Sequence, residues 1–173
     1  MFDLNRFDKS KFTNKPHEKK IEKPWGYEIL LTPPNLPYTA KIVHVNLGHR
    51  LSLQVHDAKQ ETMTLVSGGA NLLIDGKDGE IKKIQMQLRK GYTVRVGQRH
   101  RVQAVTDCEI LEASTPEIGT TYRLEDDYSR GDETEEIRQK EKMSLLGQFT
   151  AGAAHEINNP LAIISSHAQY ILS

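Results

Sequence analysis

From Gly48 to Gly68 the chain reads G-H-R-L-S-L-Q-V-H-D-A-K-Q-E-T-M-T-L-V-S-G, and no other stretch constrains the fold so closely. Leu51, Leu53 and Val55 alternate with Arg50, Ser52, Gln54 and His56, the period of a half-buried strand whose polar side chains share one face. A solvent-facing strand usually carries charges of both signs. This one carries a guanidinium, a hydroxyl, an amide and an imidazole, and a carboxylate follows at Glu61. Such an inventory suits a metal or anion site.

Short apolar-rich segments of the same kind recur along the chain. Strands are expected over 27–31, 38–46, 61–66, 70–74, 81–88, 92–96, 100–105 and 109–114, separated by turn residues such as Ser67-Gly68-Gly69 and Asp75-Gly76-Lys77-Asp78-Gly79. Many short strands without helical period between them predict a sandwich or barrel. Residues 1–20 show no sustained period and are expected to form a flexible N-terminal arm, or an edge strand crossing to a partner. At 173 residues the chain has room for one domain of ordinary size plus an extension. Lys plus Arg and Asp plus Glu both number 23, so no net field draws the chain to nucleic acid or to an anionic membrane. The single Cys108 cannot form an internal disulfide, and the first thirty residues hold no apolar run long enough for a signal peptide or a membrane span. A cytoplasmic protein is expected.

Gly48, five residues, Gln54-x-His56, four residues, Glu61, six residues, Gly68 resembles the first motif of the cupins, with Gln54 in place of the usual first histidine. That replacement is similar to the one in cupins of the mannose-6-phosphate isomerase type. Gly91-Tyr-Thr-Val-Arg-Val-Gly97-Gln-Arg-His100 resembles the second cupin motif, without its usual proline. Pro24-Trp25-Gly26 and the ending Arg123-Leu-Glu-Asp-Asp-Tyr-Ser-Arg130 are further likenesses to the isomerase type, Ser129 standing where glycine is usual. The resemblance covers about residues 21–130. It implies a mainly β double-stranded β-helix, a jelly-roll barrel, with Gln54, His56, Glu61 and His100 as ligands of one divalent transition metal (Zn, Fe, Mn or Ni). It also implies a sugar phosphate as substrate and aldose-ketose isomerisation as reaction. Such a reaction needs an electrophile, a grip on the phosphate and a base. Arg50 and Lys41 are the candidates for the phosphate, and Glu112 for the base.

From Glu133 the text changes to a helical period, giving a long C-terminal α-helix over residues 131–173 interrupted only by Pro160. Its apolar stripe wants a partner helix and predicts a homodimer. Met143 to Leu161, with His155-Glu156-Ile157-Asn158-Asn159-Pro160, resembles the H-box of sensor histidine kinases. This resemblance implies His155 as phosphoacceptor, Glu156 and Asn159 as its helpers, and a kinase domain or response regulator as partner. The helix is incomplete as a kinase, because no glycine-rich nucleotide-binding segment accompanies it. Two functions stay open: a metal-dependent isomerase, or a non-catalytic sugar-sensing domain of a truncated two-component kinase.

Overall fold

A computed structural model describes residues 4–140 and Met143. Eleven strands are seen among them: β1 (Lys19–Lys23), β2 (Gly26–Leu30), β3 (Thr39–Val45), β4 (Leu53–His56), β5 (Glu61–Ser67), β6 (Ala70–Asp75), β7 (Ile81–Gln85), β8 (Gly91–Val94), β9 (His100–Ala104), β10 (Cys108–Ser114) and β11 (Thr121–Glu125). They form two antiparallel sheets, one in the order β1-β2-β3-β10-β5-β8 and one in the order β11-β4-β9-β6-β7. The chain crosses between the sheets at nearly every turn of the motif region, which is how a jelly roll places sequence neighbours on opposite walls.

The interior is graded from apolar to polar. Val43, Ile110 and Leu65 are aligned across β3, β10 and β5, all inward and buried, and Leu72, Val102 and Ala104 face them from the other sheet. One inward position further along the same three strands, the register holds Lys41, Glu112 and Met63, and the next holds Thr39, Ser114 and Glu61. Alternation thus sends charged groups into the barrel at one end only. The apolar half supplies the burial that holds the sheets together.

Two strands depart from the sequence expectation. Lys19 and Lys20, expected in the flexible arm, open β1, which pairs with β2 through the two-residue turn Pro24-Trp25. Its sequence K-K-I-E-K hides a strand because an edge strand needs few buried side chains. The segment Thr121–Glu125 forms β11 beside β4, a strand that overlaps the ending motif. Of the long helix expected from Glu133, the described residues show helix over 135–140 and at Met143. The rest of that expectation, with His155, Glu156, Asn159 and Pro160, lies outside the described residues. The chain divides into two compact units, residues 1–132 and 133–173.

Candidate metal centre

His56 ends β4, Glu61 opens β5 and His100 opens β9. The two-residue period turns all three side chains inward, and each residue is 2–3% exposed. His100 Nε2 lies 3.0 Å from Glu61 Oε1, and His56 Nε2 lies 3.5 Å from Glu61 Oε2. The imidazole centroids are 5.1 Å apart.

The outer nitrogens of both rings are anchored. His100 Nδ1 lies 3.1 Å from the Gln98 carbonyl, an acceptor only, so Nδ1 carries a proton. His56 Nδ1 meets the Thr121 hydroxyl at 2.9 Å. Burial lowers the pKa of His56 despite the neighbouring Glu61, favouring the neutral ring. His56 Nε2 and Glu61 Oε2 are buried with no hydrogen-bond partner. His56 Nε2 and Glu61 Oε2 thus lie 3.5 Å apart with no hydrogen bond between them, an arrangement that costs free energy and that a cation between them would relieve. Ligands each about 2 Å from an ion lie about 3 Å from one another, matching the observed separations. His56, Glu61 and His100 therefore fit a transition-metal ion, with donor atoms within 4.8 Å of one another.

Gln54, opposite His100 in the β4–β9 pair, directs Nε2 at His100 Nε2 from 3.2 Å while its Oε1 accepts from Ser52 Oγ at 2.9 Å. The amide turned over would offer oxygen to the same space and let the Ser52 hydroxyl accept. Gln54 is thus at the centre, in an orientation that supports His100.

Lys41 and Glu112 are also inside the barrel, where Lys41 Nζ lies 3.3 Å from Glu112, 3.5 Å from Glu28 and 3.6 Å from Glu117. Burial works against the charge on Lys41, but Glu112, Glu28 and Glu117 outweigh it and raise its pKa well above the ordinary value. Lys59 joins this cluster from outside the residues that the motifs point to. It contacts Glu61 at 2.9 Å, Glu112 at 2.7 Å and Glu117 at 3.1 Å. Its contact with Glu61 Oε2 is an ion pair without a directed hydrogen bond. Burial would raise Glu61, yet Lys59 and the two histidines hold its pKa well below the carboxylate range. Burial and the charge of Glu61 push Glu112 up to about 7 against the two lysines. Glu117 goes the other way, to about 2, because Lys41 and Lys59 overcome its burial. Three lysines, Lys23, Lys41 and Lys59, thus face four carboxyl groups, Glu28, Glu61, Glu112 and Glu117.

Arg50 is not part of this cluster. It precedes β4, is half-exposed, and donates Nε and Nη2 to Asp127 at 2.7 and 2.8 Å. The ending segment is built of such ties: Arg101 pairs with Glu125, Arg130 with Asp126, and the Tyr128 hydroxyl donates to the Arg50 carbonyl. These contacts make residues 123–130 a clasp over the sheet of β4 and β9.

The profile of the family described as "Mannose-6-phosphate isomerase C-terminal" matches residues 9–133. The chain belongs to this family. Among solved structures it is similar to a deletion mutant of Bacillus subtilis oxalate decarboxylase (TM-score 0.53, 16% identity, 62% of this chain and 30% of that one). A second mutant of that enzyme gives a TM-score of 0.51 at 17% identity, over 57% and 27% of the two chains. The capsular polysaccharide assembling protein CapF of Staphylococcus aureus gives 0.50 at 13% identity, over 76% and 35%. The chain thus spans about a third of these proteins, and at such identities the likeness shows the cupin fold alone. No curated protein matches. The family match ends at residue 133, before the H-box motif, and nothing in the comparisons supports a fused kinase helix. Among the described residues no helix is long and apolar enough to cross a membrane.

Proposed function

We propose that the barrel is a metal-dependent isomerase domain acting on a sugar phosphate, with His56, Glu61 and His100 as metal ligands and Gln54 beside them. The observation that carries this reading is the buried convergence of two imidazoles on one carboxylate, with His56 Nε2 left without a hydrogen-bond partner. A divalent ion bound there would polarise a carbonyl oxygen and stabilise the charge that develops on it. Glu112, with its pKa near 7, can hold or release a proton at neutral pH, which suits a general base. Lys41 and Lys59 on either side of it supply positive charge next to that proton. Lys41 is the better placed of the two phosphate candidates, although three carboxylates already share its ammonium; Arg50 would have to leave Asp127.

The test begins with metal content, expected near one transition metal per chain and absent from the His56→Ala/His100→Ala variant. Interconversion of mannose 6-phosphate and fructose 6-phosphate should then require the metal, stop with chelator and fall at least a hundredfold in Glu112→Gln. Metal-loaded protein that binds the sugar phosphate but never interconverts it would select the sugar-sensing alternative. For residues 143–173 the H-box reading, with His155 as phosphoacceptor, Glu156 and Asn159 as helpers, helix-mediated dimerisation and a kinase domain or response regulator as partner, is a proposal supported by the sequence motif alone. Equal phosphate labelling of wild type and His155→Gln by an added kinase domain would remove it.

A further inference from the structure

Lys59 is a buried cation that lies between His56 and Glu61 in the first motif. It lies on the loop of residues 57–60 between β4 and β5, with its side chain 4% exposed. An ammonium leaves water at a large cost, which is offset only by several close carboxylates. Here there are three, and one of them is Glu61. The loop itself is fastened on both sides of Lys59. The Thr120 amide donates to Asp57 Oδ1 at 2.6 Å, and the Thr115 amide donates to the Gln60 carbonyl at 3.0 Å. Both partners belong to the segment that carries Glu117. The two oxygens of Glu61 consequently have different neighbours, Oε1 facing His100 and Oε2 facing Lys59 and His56.

We propose that Lys59 is a positioning residue of the metal centre: its ammonium holds Glu61 Oε2, fixes the rotation of that carboxylate so that Oε1 stays beside His100, and ties Glu61 to β10 through Glu112. This rests on the reading of His56, Glu61 and His100 as metal ligands. Two simple expectations for Lys59→Met have opposite signs. Treated as charge alone, removing a cation beside a cation site tightens metal binding. Treated as positioning, it loosens binding, because Glu61 must then be ordered by the metal itself; losing such an outer partner typically weakens affinity roughly 10- to 100-fold.

The experiment measures Zn²⁺ affinity by chelator competition for the full chain, Lys59→Met, and the double variant Lys59→Met/Glu112→Gln. Well above pH 7, where Glu112 is ionised and the titrations are run, the double variant has the net charge of wild type, since one cation and one carboxylate are removed together, and it leaves fewer buried charges unpaired if the single variant folds poorly. Both are expected to bind Zn²⁺ roughly 10- to 100-fold more weakly than wild type. At saturating Co²⁺ their ligand-field bands should also differ from those of wild type, a change that lost stability alone does not produce. Affinity at or above wild type in the double variant, or unchanged cobalt bands, overturns the positioning role. Failure of wild type to bind Zn²⁺ instead removes the ligand reading itself, so the two failures are told apart by the wild-type measurement.

Discussion

Glu112 is buried, 6% exposed, and shares two lysines with Glu117. Its folded-state pKa of about 7 stands above the ordinary 4.5, so the folded protein holds this proton more tightly than the unfolded chain does. The stability linked to it is fully present below about pH 4.5 and is lost as pH rises through 7, by roughly 3 kcal/mol at most. His56 has the opposite linkage, since its lowered pKa favours folding as pH rises. Comparing wild type with Glu112→Gln isolates the carboxyl: in metal-free protein, urea unfolding from pH 5 to 7 should show wild type losing stability relative to the variant. Parallel curves would mean that Glu112 is ionised throughout. The residues around it differ in how far they can be read from sequence. His56, Glu61 and His100 are legible because motif spacing on alternating strands fixes their face. Lys59 and Thr121 are not, because Lys59 acts from a loop between motif residues and Thr121 meets His56 only through the β4–β11 pairing. Arg50 is on the right strand face by pattern, but Asp127, 77 positions away, takes its guanidinium.

At the scale of elements, the two glycines that bound the first motif have different physical roles. Gly48 has φ +78° with open space around a would-be Cβ, whereas Gly68, at φ +75° in the turn from β5 to β6, would place that Cβ 2.0 Å from the Asp107 carbonyl oxygen. An L-residue in the left-handed region costs about 1 to 2 kcal/mol. Gly48→Ala should lose about that much. Gly68→Ala adds a backbone collision that no rotamer relieves, so its loss should exceed about 3 kcal/mol or prevent folding. Urea midpoints give the comparison, and equal losses would refute the close approach. The same conformational demand appears at Ser129, which sits at φ +56° where the isomerase-type ending usually has glycine. Strand order within the sheets was less legible than the strands themselves. Alternation reports which face of a strand is buried, but β1 and β11 each carry mostly exposed side chains, so their pattern resembles that of a loop.

For the whole molecule, the graded interior links folding to metal binding. The apolar half, with Leu65, Leu72 and Val102 at 0–1% exposure, supplies hydrophobic stability independent of any ion. The charged half carries more carboxyl groups than ammonium groups, and its buried His56 Nε2, without a hydrogen-bond partner, opposes compaction. A divalent ion bound only by the folded state relieves both, and by mass action it stabilises by about 2.7 kcal/mol when free metal is a hundred times its dissociation constant. The ion competes with protons for neutral imidazole, and its charge favours ionised Glu112, so binding releases protons and strengthens as pH rises. The thermal midpoint should therefore rise on adding Zn²⁺ or Mn²⁺, and the rise should be larger at pH 8 than at pH 5.5. Chelator should reverse it, and His56→Ala/His100→Ala should lose it at both pH values. A shift of equal size at both pH values, or one that survives in the double variant, would place the stabilising ion elsewhere on the protein, because this site couples metal affinity to this pH range through its imidazoles and Glu112.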